Sequence, residues 1–477
     1  MTIAVVLVLL VIGTLIFHFL SPWWFTPIAS NWQTMDDTVV LTFWVTGVVF
    51  VAVNLFLAWV VIRYRHRKGQ KADYEPENKK LEWWLTGITT VGVAAMLAPG
   101  LFVWSKFVNV PGDATEVEVV GQQWHWSYRL PGADGRLGAS DVSLIDEANP
   151  FGVDPSDPDA HDDVLVPSPQ LHLPVGRPVK LLLRSKDVLH NFTVPQFRVK
   201  MDMVPGMITY MWFTPTRTGE YDVLCEELCG LAHFAMRGRV VVDEAEDFHA
   251  WLASQPTFST ELARSAADAS SGQANYAVCT ACHGAAGEGN PALNAPKIAG
   301  QADWYLRRQL KNFRGGLRGA QPGDTYGAQM AAFAATLADD AAIENLVAYI
   351  AGLPEQQAPV TVQGDASRGK ALYTVCASCH GARGQGIWSQ NAPRLAQMSD
   401  WYLVRQLQNF RDGVRGKHRL DFYGGQMASM ATSLRDDRAI SDLVAYINTL
   451  PTPAQPIQPT QAGDGRATAV LASGGLD

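Results

Sequence analysis

The first hundred residues read as long apolar runs separated by short polar breaks. Residues 3–20, 39–62 and 85–104 are apolar, and the last two runs contain no charged side chain. A helix of about 20 apolar residues crosses the hydrocarbon core of a bilayer, so the second and third runs predict membrane-spanning helices. The first run lacks a basic leader and an evident small-residue cleavage site. It reads as a third retained helix, with a signal peptide as the other reading. Between the second and third runs stand Arg63, Arg65, Arg67, Lys68, Lys71, Lys79 and Lys80. The positive-inside rule places that loop in the cytoplasm and everything after Trp104 outside.

Beyond the third run the pattern shortens. Residues 115–120, 179–183 and 239–242 are short β-rich runs between Pro and Gly turns, which predict an antiparallel barrel or sandwich. Residues 132–167, rich in Pro, Asp and Gly, read as a long acidic loop, either solvated or holding calcium. Residues 253–272 read as a flexible linker. Helical periodicity then returns twice. Trp304-Tyr-Leu recurs as Trp401-Tyr-Leu, Asn312-Phe-Arg as Asn409-Phe-Arg, and Val347-Ala-Tyr-Ile as Val444-Ala-Tyr-Ile, each 97 residues on. A gapless repeat of this kind indicates a duplicated domain. The last residues, 453–477, are rich in Pro, Gln, Ala and Gly and predict a disordered tail.

With 477 residues the chain exceeds one ordinary core. The net charge of −8 excludes the clustered basic surface that a nucleic-acid partner requires, and suits a basic redox visitor instead. The six cysteines fall into three pairs, which leaves none for a disulfide framework. Cys279-Thr-Ala-Cys282-His283 and Cys376-Ala-Ser-Cys379-His380 carry the attachment spacing of c-type haem. Each His then supplies one axial ligand. Met330 and Met427, at matching positions in the two repeats, are the candidates for the other, and a neutral sulfur there raises the potential. Met430 is an alternative for the second site, with Phe333 as its counterpart in the first repeat.

The third pair lies in Cys225-Glu-Glu-Leu-Cys229-Gly-Leu-Ala-His233-Phe-Ala-Met236, with His190 upstream. Two thiolates, two imidazoles and a thioether are soft or borderline donors that suit copper, and closely spaced thiolates can bridge two ions. A tetrahedral zinc site is the chemical competitor, disfavoured by the additional Met236 and the β context.

At these residues the chain resembles subunit II of cytochrome c oxidase over residues 1 to about 250, through the motif C-x-E-x-C-x-x-x-H-x-x-M. The resemblance implies that His190, Cys225, Cys229, His233 and Met236 hold a dinuclear copper site, CuA, with the Glu227 carbonyl as a further ligand. It also implies a Glu227 side chain reaching a magnesium ion shared with subunit I. The run Gly121-Gln-Gln-Trp124-His125-Trp126-Ser-Tyr128 resembles the family's aromatic segment beside copper, making Trp124 the electron-entry candidate. Glu82 occupies the place of a glutamate at the mouth of a proton channel, and otherwise reads as a solvated helix-end carboxylate.

Residues of about 273–452 resemble tandem dihaem c-type cytochromes, which implies His/Met ligation of two covalent haems. The expected fold is multidomain: transmembrane helices in 1–110, an all-β cupredoxin-like domain in 111–252, a linker in 253–272, and all-α cytochrome c domains in 273–355 and 366–452. The implied function is an oxidase subunit in the bacterial inner membrane, its copper and haem domains on the periplasmic side. It relays electrons from an external cytochrome or other donor through the haems and CuA. Its implied partners are subunits I and III, subunit I reducing oxygen to water with proton pumping. The rivals are a CuA-containing nitric oxide reductase subunit and a non-enzymatic membrane cytochrome. Nitrous oxide reductase is disfavoured by the small number of histidines, and quinol oxidase by the retained copper ligands.

Overall fold

A computed structural model describes residues 2–21, 26–71, 76–146, 149–263 and 267–452. The predicted disordered tail lies outside these residues. Three helices, α1 (Thr2–Leu20), α2 (Gln33–Arg63) and α3 (Lys79–Val108), are each long and apolar enough to cross a membrane. Large apolar side chains, among them Trp44, Phe56, Trp84 and Phe102, stand exposed along them. A helix that is apolar all round finds its low-energy surroundings in lipid rather than water. The chain is thus membrane-anchored, with its remaining domains outside.

The start of α2 and the residue before it latch the outer domain to the membrane helices. Trp32 is buried in the β-domain core and donates its indole N–H to the Trp212 carbonyl at 3.0 Å. Asp36 accepts two hydrogen bonds from the Arg198 guanidinium, at 2.7 and 2.9 Å.

Among the described residues ten strands follow: β1 (Thr115–Gln122), β2 (His125–Leu130), β3 (Val164–Val166), β4 (Gln170–Pro174), β5 (Val179–Ser185), β6 (His190–Val194), β7 (Val199–Met203), β8 (Thr209–Phe213), β9 (Gly219–Leu224) and β10 (Arg237–Asp243). They form two five-stranded sheets, in the orders β3-β2-β1-β5-β8 and β4-β10-β9-β6-β7. The inner faces close on Val119, Leu181, Leu183, Phe192, Met211 and Val240, which alternate along their strands as a half-buried sheet requires. The all-β expectation holds, but that of an antiparallel barrel or sandwich is corrected in its pairing. β1 pairs with β5, and β4 with β10, in parallel. Parallel pairing needs long crossover connections, and the acidic stretch 132–167 is part of the one between β1 and β5.

The acidic stretch is folded rather than merely solvated. Phe151, Val153 and Ala160 pack with Val120, Leu165 and Phe258 in a second small core. Buried Arg129 binds Glu118 and Asp163, each at 2.7 Å, and Arg184 reaches Glu118 at 2.8 Å, so two buried cations face two buried anions. The stretch read as linker is also anchored at its start. It follows α4 (Ala245–Ala253), and Thr257 bridges Val164 before the short helix α5 (Phe258–Ala263).

The repeats are helical, α6 (Ala269–His283), α7 (Asp303–Arg314), α8 (Thr325–Ala334) and α9 (Asp340–Ala351), then α10 (Ala366–His380), α11 (Asp400–Arg411), α12 (Phe422–Ala431) and α13 (Asp437–Ile447). Helices α6, α8, α9, α10, α12 and α13 all begin on an Asp cap whose side chain accepts from first-turn N–H groups. Small cores form around Tyr276, Ile343 and Val347 in the first repeat and around Tyr373, Ile440 and Val444 in the second.

Candidate metal centres

The loop between β9 and β10 carries four of the five predicted copper side chains, and the first residue of β6 brings the fifth. Side-chain donors of His190, Cys225 and Cys229 all lie within 4.8 Å of one another. The two sulfurs are 3.7 Å apart. His190 Nδ1 stands 4.0 Å from Cys225 Sγ, His233 Nδ1 3.4 Å from Cys229 Sγ, and Met236 Sδ 3.7 Å from Cys229 Sγ. The Glu227 carbonyl lies 3.2 Å from Cys225 Sγ. The structure therefore gathers His190, Cys225, Glu227 (through its backbone), Cys229, His233 and Met236 around one sulfur pair.

Local chemistry fixes this shape. Asp187 Oδ1 holds His190 Nε2 at 2.8 Å, which turns Nδ1 toward the sulfurs, as an outer carboxylate does for a metal-binding imidazole. The Cys229 carbonyl accepts from Gln123 Nε2 at 2.7 Å and from the Trp124 indole N–H at 3.0 Å. Gly230 sits at φ +116°, where a Cβ would lie 2.7 Å from Gln123 Nε2 and 3.0 Å from the Trp124 ring. The sulfur–sulfur hydrogen bond, then His190, hold the Cys225 thiol below the ordinary range against the opposing effect of burial. One thiolate is thus favoured before any metal arrives, and a soft paired donor set buried at a loop fits copper.

Trp124 is buried beside the site at 4% exposure. Glu82 is exposed in the first turn of α3, a helix about 45 Å long, and is not brought to the copper loop. The Glu227 side chain is partly exposed on the copper loop.

A large cavity between the repeats is lined by Cys279, Cys282, His283 and Met330 of the first and Cys376, Cys379, His380 and Met427 of the second. His283 Nδ1 pairs with the Pro296 carbonyl at 2.8 Å and His380 Nδ1 with that of Pro393 at 2.7 Å. With Nδ1 engaged, Nε2 is the nitrogen left for iron. Both Met427 and Met430 line the cavity, as do Met330 and Phe333.

Sequence reasoning missed two arginines that line this cavity, Arg318 and Arg415. Arg318 donates to Gln309 of its own repeat at 2.7 Å and to Tyr402 and Gln406 of the other at 2.6 and 3.1 Å. Arg415 mirrors it, reaching Gln406, Tyr305 and Gln309 at 2.7, 3.3 and 3.0 Å. The buried Nε of each has no protein partner among the described residues. Two buried guanidiniums with an unsatisfied donor apiece call for an anionic occupant, and haem brings carboxylates. Their recurrence 97 residues apart was the signal that could have found them.

Comparison with known proteins agrees with both halves. The family described as cytochrome C oxidase subunit II, periplasmic domain, matches residues 115–245, and the cytochrome c family matches residues 269–354 and 366–451. The alternative cytochrome c oxidase subunit 2 of Bradyrhizobium diazoefficiens is 60% identical over 266 residues, covering 56% of this chain and 96% of that one. Cytochrome c oxidase subunit 2 of Thermostichus vulcanus is 31% identical over 236 residues, covering 44% of this chain and 72% of its own. Among solved structures, reduced recombinant cytochrome c4 from Pseudomonas stutzeri is 28% identical, with a TM-score of 0.32, covering 39% of this chain and all of that one.

Proposed function

The chain belongs to the cytochrome c oxidase subunit 2 family, and from that premise we propose that it is the electron-transfer subunit of a haem-copper cytochrome c oxidase. It sits in the bacterial inner membrane and carries electrons from an external donor to a catalytic subunit I that reduces oxygen and pumps protons. Copper and the two c-type haems, when bound, supply reversible one-electron chemistry. The observation that carries this reading is one buried cluster of two thiols, two imidazoles and a thioether in a chain that also bears two haem-attachment motifs.

The residues divide the work. Cys225, Cys229, His190, His233, Met236 and the Glu227 carbonyl hold CuA. Asp187 orients His190, and Gln123 with Trp124 pins the Cys229 carbonyl, so the loop moves little when charge changes. Cys279, Cys282, His283 and Met330 hold the first haem; Cys376, Cys379, His380 and Met427 hold the second. Leu228, Leu231 and Phe234 stand exposed on the copper loop, an apolar rim suited to subunit I. Glu227 offers a carboxylate toward a shared magnesium there. Glu82 serves proton uptake at the opposite end of α3. Subunit III completes the complex.

The test is purification of the intact membrane complex, with metal analysis and oxygen uptake from reduced cytochrome. Cys225→Ser is expected to abolish the near-infrared copper band while the c-haem absorbance stays. Zinc in place of copper, or a band that survives Cys225→Ser, rejects the ligand assignment. A chain that always purifies without a catalytic subunit supports instead the non-enzymatic cytochrome.

A further inference from the structure

The two repeats match each other closely, yet among the described residues it is the second whose hydrogen bonds and ion pair seat it on the β-domain. Gln426 of α12 donates its amide to the Trp124 carbonyl, and the Ala235 carbonyl lies 3.5 Å from the same nitrogen. Gln122 donates to the Ser389 carbonyl. Asn391 Nδ2 lies 3.2 Å from His125 Nδ1, and the Tyr423 ring stands edge-on to His125 at 5.6 Å. Arg419 pairs with Glu220 at 2.6 Å on the rim. Cys379, a haem-attaching residue, packs directly against the β-domain core that contains Cys225, Cys229 and Met236.

The corresponding side chains of the first repeat point elsewhere. Gln329, the counterpart of Gln426, is exposed. Tyr326, the counterpart of Tyr423, lies under the Arg405 guanidinium of the second repeat, at 4.5 Å. Among the described residues, no hydrogen bond or ion pair is drawn between the first repeat and the β-domain. The first repeat instead reaches the seam at second hand, through Arg308, which donates to Asn391 at 2.8 and 2.9 Å and covers the Tyr423 ring at 4.6 Å.

We propose that the second repeat is the immediate electron donor to the copper loop, and that electrons held by the first repeat reach copper only through the second. This rests on the assignment of copper and haem made above. Trp124 is the bridge. Its carbonyl takes the Gln426 amide and its indole N–H binds the Cys229 carbonyl, which joins the two centres by a short chain of contacts. The same contacts bury Trp124, so a soluble visitor does not reach it. In the transfer one electron leaves a ferrous haem in the second repeat, which becomes ferric, and enters the copper pair, which is reduced by one. No bond forms or breaks and no proton has to move. Gln426, Asn391, Tyr423 and Arg419 are positioning residues.

The test follows electron arrival at copper in the intact complex, with subunit I blocked by cyanide and reduced cytochrome added by rapid mixing. Near-infrared copper absorbance and visible c-haem absorbance are read together. Gln426→Arg is expected to slow copper reduction about tenfold, and Arg419→Glu, which opposes Glu220, about threefold, with haem reduction unchanged. Gln329→Arg, the same change in the first repeat, is expected to leave copper reduction at the wild-type rate. If Gln426→Arg loses haem or alters the resting copper spectrum, Arg419→Glu decides. Copper reduction at the wild-type rate in both seam variants, or equal slowing by Gln329→Arg, overturns the proposal. A wild-type complex lacking the copper band or covalent haem instead defeats the underlying assignment.

Discussion

A single glycine shows how tightly the copper loop is drawn. Gly230 follows Cys229 at a positive φ that side chains rarely adopt, and its missing Cβ leaves room for Gln123 and Trp124. Gly230→Ala is therefore expected to cost about 1–3 kcal/mol from backbone strain alone. It should also push Trp124 away from the Cys229 carbonyl and shift the copper band. Thermal unfolding with near-infrared spectra of the same preparation checks both, and an unchanged spectrum would mean that the loop adapts elsewhere. Asp187 acts at similar range. Asp187→Ala leaves the His190 ring without its orienting partner and is expected to weaken copper retention by roughly 10- to 100-fold, measured by competition with a chelator.

Among the elements, α11 of the second repeat is held by a buried carboxylate at its first residue. Asp400, 1% exposed, accepts from Thr361 N and Oγ1 at 2.6 Å each, from Val362 N at 2.8 Å and from Asn448 at 3.1 Å. Burial opposes ionisation there, but these donors together outweigh it and hold the carboxyl below its usual range. A depressed acid contributes stability that is present above its unfolded value, 3.8, and lost as pH falls below it. Asp400→Ala should thus cost on the order of 2 kcal/mol at neutral pH, and the difference from wild type should shrink as the pH is lowered below that value. Chemical unfolding at several pH values checks this. The elements were largely legible in the sequence because most had a local cue. Apolar run length marked α1 to α3, and the haem motifs with their 97-residue recurrence marked α6, α7 and α9 and their twins α10, α11 and α13, but not α8 and α12, which carry Met330 and Met427. The Cys225 to Met236 spacing brought the copper candidates together before any fold was known. What stayed hidden lacks periodicity. Gln122, Asn391 and Gln426 are polar residues that read as surface, and their contacts span 267, 266 and 302 positions along the chain. Folding of the acidic stretch was hidden for the same reason, since Arg129 finds Asp163 only once β2 and β3 are paired.

At the scale of the whole molecule, the paired repeats are joined by exchange of equivalent groups across an approximate two-fold axis. Arg318 reaches Tyr402 and Gln406 while Arg415 reaches Tyr305 and Gln309, and Lys297 binds the Gln397 carbonyl while Arg394 binds that of Gly300. Glu355, in the segment between the repeats, receives both Lys297 and Arg394. Such reciprocity ties the position of one cofactor cavity to the other, so the repeats are expected to unfold as one unit. Arg318→Gln strands the Tyr402 hydroxyl, at about 1–3 kcal/mol for a buried group left unpaired, while the Gln309 amide oxygen keeps its bond from Arg415. A double-mutant cycle of Arg318→Gln with Tyr402→Phe should then give a coupling above about 0.5 kcal/mol, the mark of direct contact. The charge has a second consequence. A guanidinium lining the haem cavity would oppose the extra positive charge of the ferric state, so its loss favours oxidation and should lower the haem midpoint potential in a redox titration. Arg415→Gln should lower it in the same direction, because the two positions are equivalent about the axis. A potential that moves with one arginine and not the other would show that the symmetry of the fold is not shared by the electrostatics of the cavity.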